Sequence, residues 1–340
     1  MIVDLGPWLG DVPAAVSARI QASRRALVAG HENPDADTLG AALGIATIVE
    51  RNGGAANLIC ADPVPPLYDF LPGMDRVRRD PDPGFEPDLL VVCDCGSLER
   101  LGTLRERHAD LFARLPRVIV DHHASNTEGG AIDWVDPAAA ATCEMVALLA
   151  AQLGVPLDAK DGALAAVLMA GLVMDTSTFA HPNVTPRTLA VAAALVEAGA
   201  PLSEISRRLY RSKPDAQLRL FGRVLDRLEV TADGRIVSST LGEADFMETG
   251  TVSAHSEGII DLLSQAEQSE VAILFKEAGP NATRVSVRTR DGGVDATQLT
   301  GAFGGGGHAR AAGATVEQPV AEARKRVLAE AERLVADVHR

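Results

Sequence analysis

Four short apolar runs constrain this chain most: residues 26–30, 56–60, 89–93 and 117–120. Leu89-Leu90-Val91-Val92-Cys93 is apolar throughout. A run of that kind reads as a strand covered on both faces, as parallel strands are. Helical patterning separates the runs, over 38–50 and again over 98–111. Alternating strand and helix predicts an α/β fold built on a doubly wound parallel sheet. Such sheets bind ligands outside the carboxyl ends of their strands. The residues that follow each run are therefore the ones that carry chemistry.

After the first run comes His31-Glu32-Asn33-Pro34-Asp35-Ala36-Asp37. Pro34 favours a turn here, and the helix over 38–50 closes at Asn52-Gly53-Gly54. The loop thus offers one imidazole and two carboxylates that can converge on a cation. The alternative is that Asp37 or Thr38 caps the helix and His31 is incidental. The third run delivers Asp94, a carboxylate that is costly to bury unless paired or metal-bound, or else one that caps the next helix. The fourth delivers Asp121-His122-His123. Further Ala/Leu-rich helices span 142–153 and 158–174, and the second ends at Asp175, either a solvated helix end or another ligand. Cys93 and Cys95 flank Asp94 as small packing residues. With Cys60 and Cys143 they make four cysteines, too few for a disulfide framework and in keeping with a reducing cytoplasm.

The C-terminal part changes character. We assign residues 1–190 to a metal-binding domain, 191–230 to a helical linker broken at Pro214, and 231–340 to a smaller α+β domain. In the last, strands are expected over 235–240, 271–275 and 284–288, the latter two joined by Gly279-Pro280-Asn281. Helices are expected over 256–265, 296–302 and 320–340. Gly304-Gly305-Gly306-Gly307-His308 reads as a flexible loop whose backbone N–H groups can cradle an anion. A tight turn needing positive φ is the alternative. Arg288 and Arg310 are placed to pair with a phosphate or carboxylate.

The net charge of −14 argues against a broad nucleic-acid-coating surface, which would be basic. It leaves room for a small anionic substrate held locally by metals and arginine. No apolar run reaches the ~18 residues of a membrane span, and residues 1–10 lack the basic start of a secretory signal.

His31, Asp35, Asp37, Asp94, His122, His123 and Asp175 are more hard ligands than one cation needs. They point to two metals a few Å apart, an arrangement that hydrolyses phosphate esters, with Asp94 as the bridge. Mixed imidazole and carboxylate ligation suits Mn²⁺ better than Mg²⁺ and lacks the thiolates of structural zinc. His123, beside a ligand histidine, is the candidate to stabilise charge near the leaving group.

These motifs, in this order, resemble the DHH phosphoesterases: His31 with Asn33-Pro34-Asp35-Ala36-Asp37, then Asp94, Asp121-His122-His123, Asp175, and Gly305-Gly306-Gly307-His308 with Ala311-Ala312-Gly313. More narrowly the chain is similar to the short RecJ-like subgroup that acts as nano-RNase and pAp phosphatase (NrnA-type). The resemblance implies two Mn²⁺ ions, with Mg²⁺ or Co²⁺ as substitutes. His31, Asp35 and Asp94 would hold the first ion, and Asp37, Asp94, His122 and Asp175 the second. It makes His123 a contact of the scissile phosphate and Asp121 the group that orients an imidazole. It implies that the second domain closes over the first and binds the nucleotide end through Ser286, Arg288, Gly305, Gly306, Gly307 and His308. The implied substrates are short oligoribonucleotides, linear dinucleotides such as pApA and pGpG, and pAp, with cyclic dinucleotides as a further class. A cytoplasmic homodimer is the implied state. A pyrophosphatase or polyphosphatase with the same metal domain, and a catalytically silent nucleotide-binding sensor, are the competing readings. One departure is Thr176-Ser177-Thr178-Phe179-Ala180-His181, where the family more often has Thr-Gly before the aromatic residue.

Overall fold

In the computed structural model, which describes residues 3–126, 132–158, 162–231, 233–290 and 292–339, the chain divides into two units, Met1–Ser212 and Lys213–Arg340. The first unit's strands are β1 (Arg25–Ala29), β2 (Ala55–Ile59), β3 (Val77–Arg78), β4 (Leu89–Cys93), β5 (Arg117–Asp121) and β6 (Asp133–Val135). They form one parallel sheet in the order β3-β2-β1-β4-β5-β6. β1, β2, β4 and β5 are the four apolar runs. β3 and β6, with two and three residues, are too short to leave a pattern. The chain leaves β1 for β2 on one side and returns to β4 on the other, so the order reverses between β1 and β4. That reversal is where a doubly wound sheet opens a crevice.

The helices of this unit are α1 (Ala14–Ala22), α2 (Ala36–Arg51), α3 (Thr103–Arg107), α4 (Ala109–Arg114), α5 (Thr142–Gln152), α6 (Ala163–Asp175), α7 (Pro186–Glu197) and α8 (Leu202–Tyr210). Alternate strand residues serve the two faces. Ala26, Val28, Leu89, Val91, Val118 and Val120 face a core filled by α2, α5 and α6. Leu27, Ala29, Leu90, Val92 and Ile119 face a smaller core closed by Leu101 and Leu104. Both faces are covered, which is why β4 is apolar throughout and Ala26–Ala29 and Val118–Val120 are apolar without a break. The expected single helix over 98–111 is instead a 3-10 turn (Leu98–Leu101), then α3, then α4. It breaks at Gly102, whose φ of 56° lies in the left-handed region, and where a Cβ would strike the Glu32 side chain.

The second unit has β7 (Glu229–Val230), β8 (Ile236–Leu241), β9 (Val271–Glu277), β10 (Thr283–Thr289), β11 (Gly306–His308) and β12 (Ala311–Val316). The sheet order is β11-β12-β10-β9-β8-β7. Only β8 and β9 pair in parallel, so the sheet is mixed. Its helices are α9 (Asp215–Asp226), α10 (Glu243–Thr249), α11 (Ile259–Leu263), α12 (Ala296–Gly301) and α13 (Val320–Val338). One face packs Ile273, Phe275, Val285 and Val287 on α12 and α13 residues. The other packs Val237, Leu241 and Leu274 on α9 and α11 residues. The expected glycine loop is a correction: Gly306–His308 is a strand, paired with Ala311–Gly313 as a hairpin. Positive φ or close backbone contact explains three of its four glycines. Gly304 has φ 73°, a Cβ on Gly305 would overlap the Gly313 carbonyl, and one on Gly307 would lie 2.6 Å from the Ala311 oxygen. A Cβ on Gly306 would meet nothing within 4 Å. No single helix among the described residues is long and apolar enough to cross a membrane.

Candidate active site

The β1–α2 loop, the ends of β4 and β5, and the end of α6 bring the predicted hard ligands together. Three sets of ligand atoms lie within 4.8 Å of one another: His31, Asp35 and Asp94; Asp94, His122 and His123; and Asp37, His122 and Asp175. Asp94 and His122 each belong to two sets, so the sets form one continuous cluster.

Local structure aims each side chain. Asp35 is the residue that caps α2, accepting from the Asp37 and Thr38 amides through Oδ1. Its Oδ2 lies 3.9 Å from His31 Nε2. Nδ1 of His31 meets the Glu32 carbonyl at 2.6 Å. A carbonyl only accepts, so Nδ1 carries the proton and Nε2 turns inward, 3.5 Å from Asp94 Oδ2. Asp94 itself has φ 53°, a left-handed conformation that Asp tolerates better than most residues. The Thr38 hydroxyl donates to its Oδ2 at 2.6 Å and Thr142 to its Oδ1 at 3.3 Å. His122 Nε2 is 3.6 Å from Asp94 and 3.1 Å from Asp175.

Asp37 is fully buried and does a second job. Helix α5 starts after Ala141, which has no side-chain oxygen to cap it. The Asp37 carboxylate replaces the cap, accepting from the Thr142 and Cys143 amides at 2.7 and 2.8 Å. Asp121, also fully buried, accepts from His123 Nδ1 at 2.8 Å and from Asn126 at 2.7 Å. It thereby fixes the His123 tautomer, with the proton on Nδ1 and Nε2 turned away from Asp121. After α6 the backbone runs left-handed through Ser177, Thr178 and Phe179, with φ of 47°, 58° and 64°. Three such residues in succession store strain. The tight turn they make lets His181 and Asn183 reach the Asp175 carbonyl at 3.1 and 3.4 Å. Thr38, Thr142 and Asn126 gave no sign of a site role in sequence. Their bonds to Asp94 and Asp121 come from separate elements.

The electrostatics follow from burying carboxylates side by side. Burial pushes Asp37 well up, and the charges of Asp175 and Asp94 push it further. Asp175 is pushed up to about 6, by burial first and by Asp94 and Asp35 next. Burial also opposes the charge on Asp94. The His31 contact, the Thr38 hydroxyl and His122 outweigh it and hold Asp94 below the usual carboxylate range. Burial would lower His122, yet Asp175, Asp37 and Asp94 raise it to about 10. His31 is likewise raised, by Asp94 above all, against its burial. Convergent buried oxygens and imidazoles with inward Nε2 atoms are a donor set that fits divalent cations. Among the described residues no cysteine joins the three groups. Cys93, Cys95, Cys60 and Cys143 are buried, and burial pushes each thiol up, as packing residues require.

In the second unit, the register assembles the other predicted residues. Ser286 pairs with Gly313, which pairs with Gly306. Arg288 pairs with Ala311, which pairs with His308. Residues in register share a face, so these make two adjacent rows, and the first is nearly bare of side chains above Ser286. Arg288 Nε donates to Asp261 at 2.8 Å. Arg310 donates to the Arg290 carbonyl. Gly305 lies against Gly313 and Gly307 against Ala312. The His308 side chain lies outside the described residues.

Comparison with known proteins matches both units to known domains. Residues 25–172 match the N-terminal domain of the DHH family, and residues 234–337 match the DHHA1 domain. The bifunctional oligoribonuclease and PAP phosphatase NrnA of Thermus thermophilus is 33% identical over 292 residues, covering 85% of this chain and 83% of that protein. The protein of the same name from Bacillus subtilis is 27% identical over 290 residues, covering 84% and 87%. The crystal structure of an exopolyphosphatase-related protein from Bacteroides fragilis superposes with a TM-score of 0.85 at 21% identity, over 96% of this chain and 98% of that one, and shares the fold. The chain belongs to the DHH family, with a DHH N-terminal domain in its first unit and a DHHA1 domain in its second.

Proposed function

We propose that this chain is a two-metal phosphoesterase that degrades very short oligoribonucleotides to mononucleotides and dephosphorylates pAp, with Mn²⁺ as its metal. The observation that carries the reading is the continuity of the three ligand groups through Asp94 and His122. The names of the Thermus and Bacillus relatives, oligoribonuclease and PAP phosphatase, supply the substrate class.

In this reading His31, Asp35 and Asp94 hold one cation, and Asp37, Asp94, His122 and Asp175 the other. Divalent cations held here supply Lewis acidity, neutralising phosphoryl charge and lowering the pKa of water. The chain does the rest. Asp94, pinned by two threonine hydroxyls, keeps the two halves of the cluster in register. Asp121 accepts from Nδ1 and so orients His123, whose Nε2 donates to the scissile phosphate in the imidazolium form, with a proton on each nitrogen, as charge develops. In the second unit, the bare row over Ser286 and the neighbouring Arg288 take the nucleotide end. A short row of this kind suits a terminal nucleotide, and the net charge of −14 speaks against a surface built for long strands.

The test is to incubate the chain with Mn²⁺ and pApA, pAp or pyrophosphate. AMP from the first two and phosphate from pAp are expected. Turnover of pyrophosphate alone would overturn the assignment.

A further inference from the structure

On the sheet face opposite α2, a cavity of about 200 Å³ is lined by Leu90, Leu98, Leu101, Phe112, Arg105 and Arg117. Its floor is apolar and buried, with Leu90 and Leu101 each 1% exposed. Arg117 opens β5, and its Nε is buried without a hydrogen-bond partner. A buried donor left unpaired carries its full desolvation cost, so the Nε of this half-buried arginine calls for a partner. Arg105 stands on the same wall, with the largely exposed Glu99 3.7 Å away. Two guanidiniums on an apolar cavity are out of keeping with a chain of net charge −14.

We propose that this cavity binds a small amphipathic carboxylate. A cavity of ~150 Å³ takes a benzene ring, so this one has room for such a ring and a short acid arm. The carboxylate pairs with the Arg117 fork, satisfying Nε, and Arg105 covers it from the mouth. The apolar walls cannot solvate a phosphate dianion, which favours a monoanion. The site is separate from the metal cluster. Arg117 and Asp121 are the two ends of β5, about 13 Å apart along the strand. The proposal therefore does not depend on the assigned reaction.

The probe is phenylacetate, titrated into the full chain with Mn²⁺ present and followed by calorimetry, with acetate and benzyl alcohol as charge-only and ring-only controls. Saturable one-to-one binding of phenylacetate is expected, tighter than either control. Arg117→Met, which keeps the apolar stem, weakens phenylacetate by at least about ten-fold and leaves benzyl alcohol unchanged. Ala113→Trp, at the cavity lining, removes binding of both. Asp94→Asn, at the other end of the sheet, alters neither. If Arg117→Met does not fold, Arg105→Gln, at an exposed position, and Ala113→Trp still decide the matter. Absence of saturable phenylacetate binding, or affinity indifferent to both arginines or to Ala113→Trp, overturns the proposal.

Discussion

Gly171 on α6 packs against the candidate metal ligand Asp37 with no side chain between them. A Cβ built there would lie 2.6 Å from Asp37 Oδ1 and 2.8 Å from Asp37 Cα, and would also overlap Cys143 Sγ. Ordinary contact begins near 3.4 Å, so Gly171→Ala must move the carboxylate by about 0.8 Å and the backbone by about 0.6 Å. The Asp37 carboxylate is tied to two α5 amides, so it cannot swing away freely. Overpacking of this kind costs roughly 1–3 kcal/mol, offset by up to ~1 kcal/mol of helix propensity. We expect a net loss of about 1–2 kcal/mol in urea unfolding. Because ~1 Å of misplacement can cost ~10²-fold in rate, pApA hydrolysis should fall by tens of fold at saturating Mn²⁺. The control is Gly222→Ala on α9, where a Cβ would meet nothing within 4 Å. It should gain about 0.5–1 kcal/mol with unchanged activity. Wild-type rate and Mn²⁺ affinity in Gly171→Ala would refute the placement of Asp37 at the reacting centre.

Asp94→Asn should remove at least the ~10²-fold that one charge-stabilising group contributes while keeping the fold, because Asn also accepts the left-handed φ of 53°; circular dichroism alongside kinetics checks both, and near-wild-type turnover would sink the bridge. Binding of Mn²⁺ should release protons: His122 is raised to about 10, so near neutral pH it is protonated and must give up that proton to become a ligand. Calorimetry in buffers of different ionisation enthalpy should therefore show at least one proton released, with affinity falling as pH falls, and a buffer-independent heat would contradict it. Arg187 bridges Glu144 at 2.5 Å and Asp11 and Asp136 at 2.7 Å each, and Glu144 is fully buried. Arg187→Ala strands that carboxylate and should cost roughly 3–5 kcal/mol in chemical denaturation, whereas a loss under ~1 kcal/mol would show the network to be dispensable.

The α/β class and the candidate hard ligands are legible in the sequence because both are local signals. An apolar run of five residues announces a buried parallel strand, and a His or Asp directly after it must sit at the strand's carboxyl end. Other features carried no such signal. β3 and β6 are too short to pattern. The helix expected over 98–111 looked continuous until Gly102 had to turn beside Glu32. The glycine segment reads as a loop from composition, and only the approach of Gly305 and Gly307 to β12 makes it a strand.

What tertiary structure alone decided is the set of bonds between residues far apart in the chain. Asp37 caps a helix 105 positions away, Thr38 and Thr142 hold Asp94 from either side, and Asn126 steadies Asp121. Spacing along a sequence determines which side chains a strand end offers. Whether they meet, and which way their lone pairs turn, depends on how α2, α5 and α6 pack across the sheet, and that packing leaves no periodic trace in any one segment.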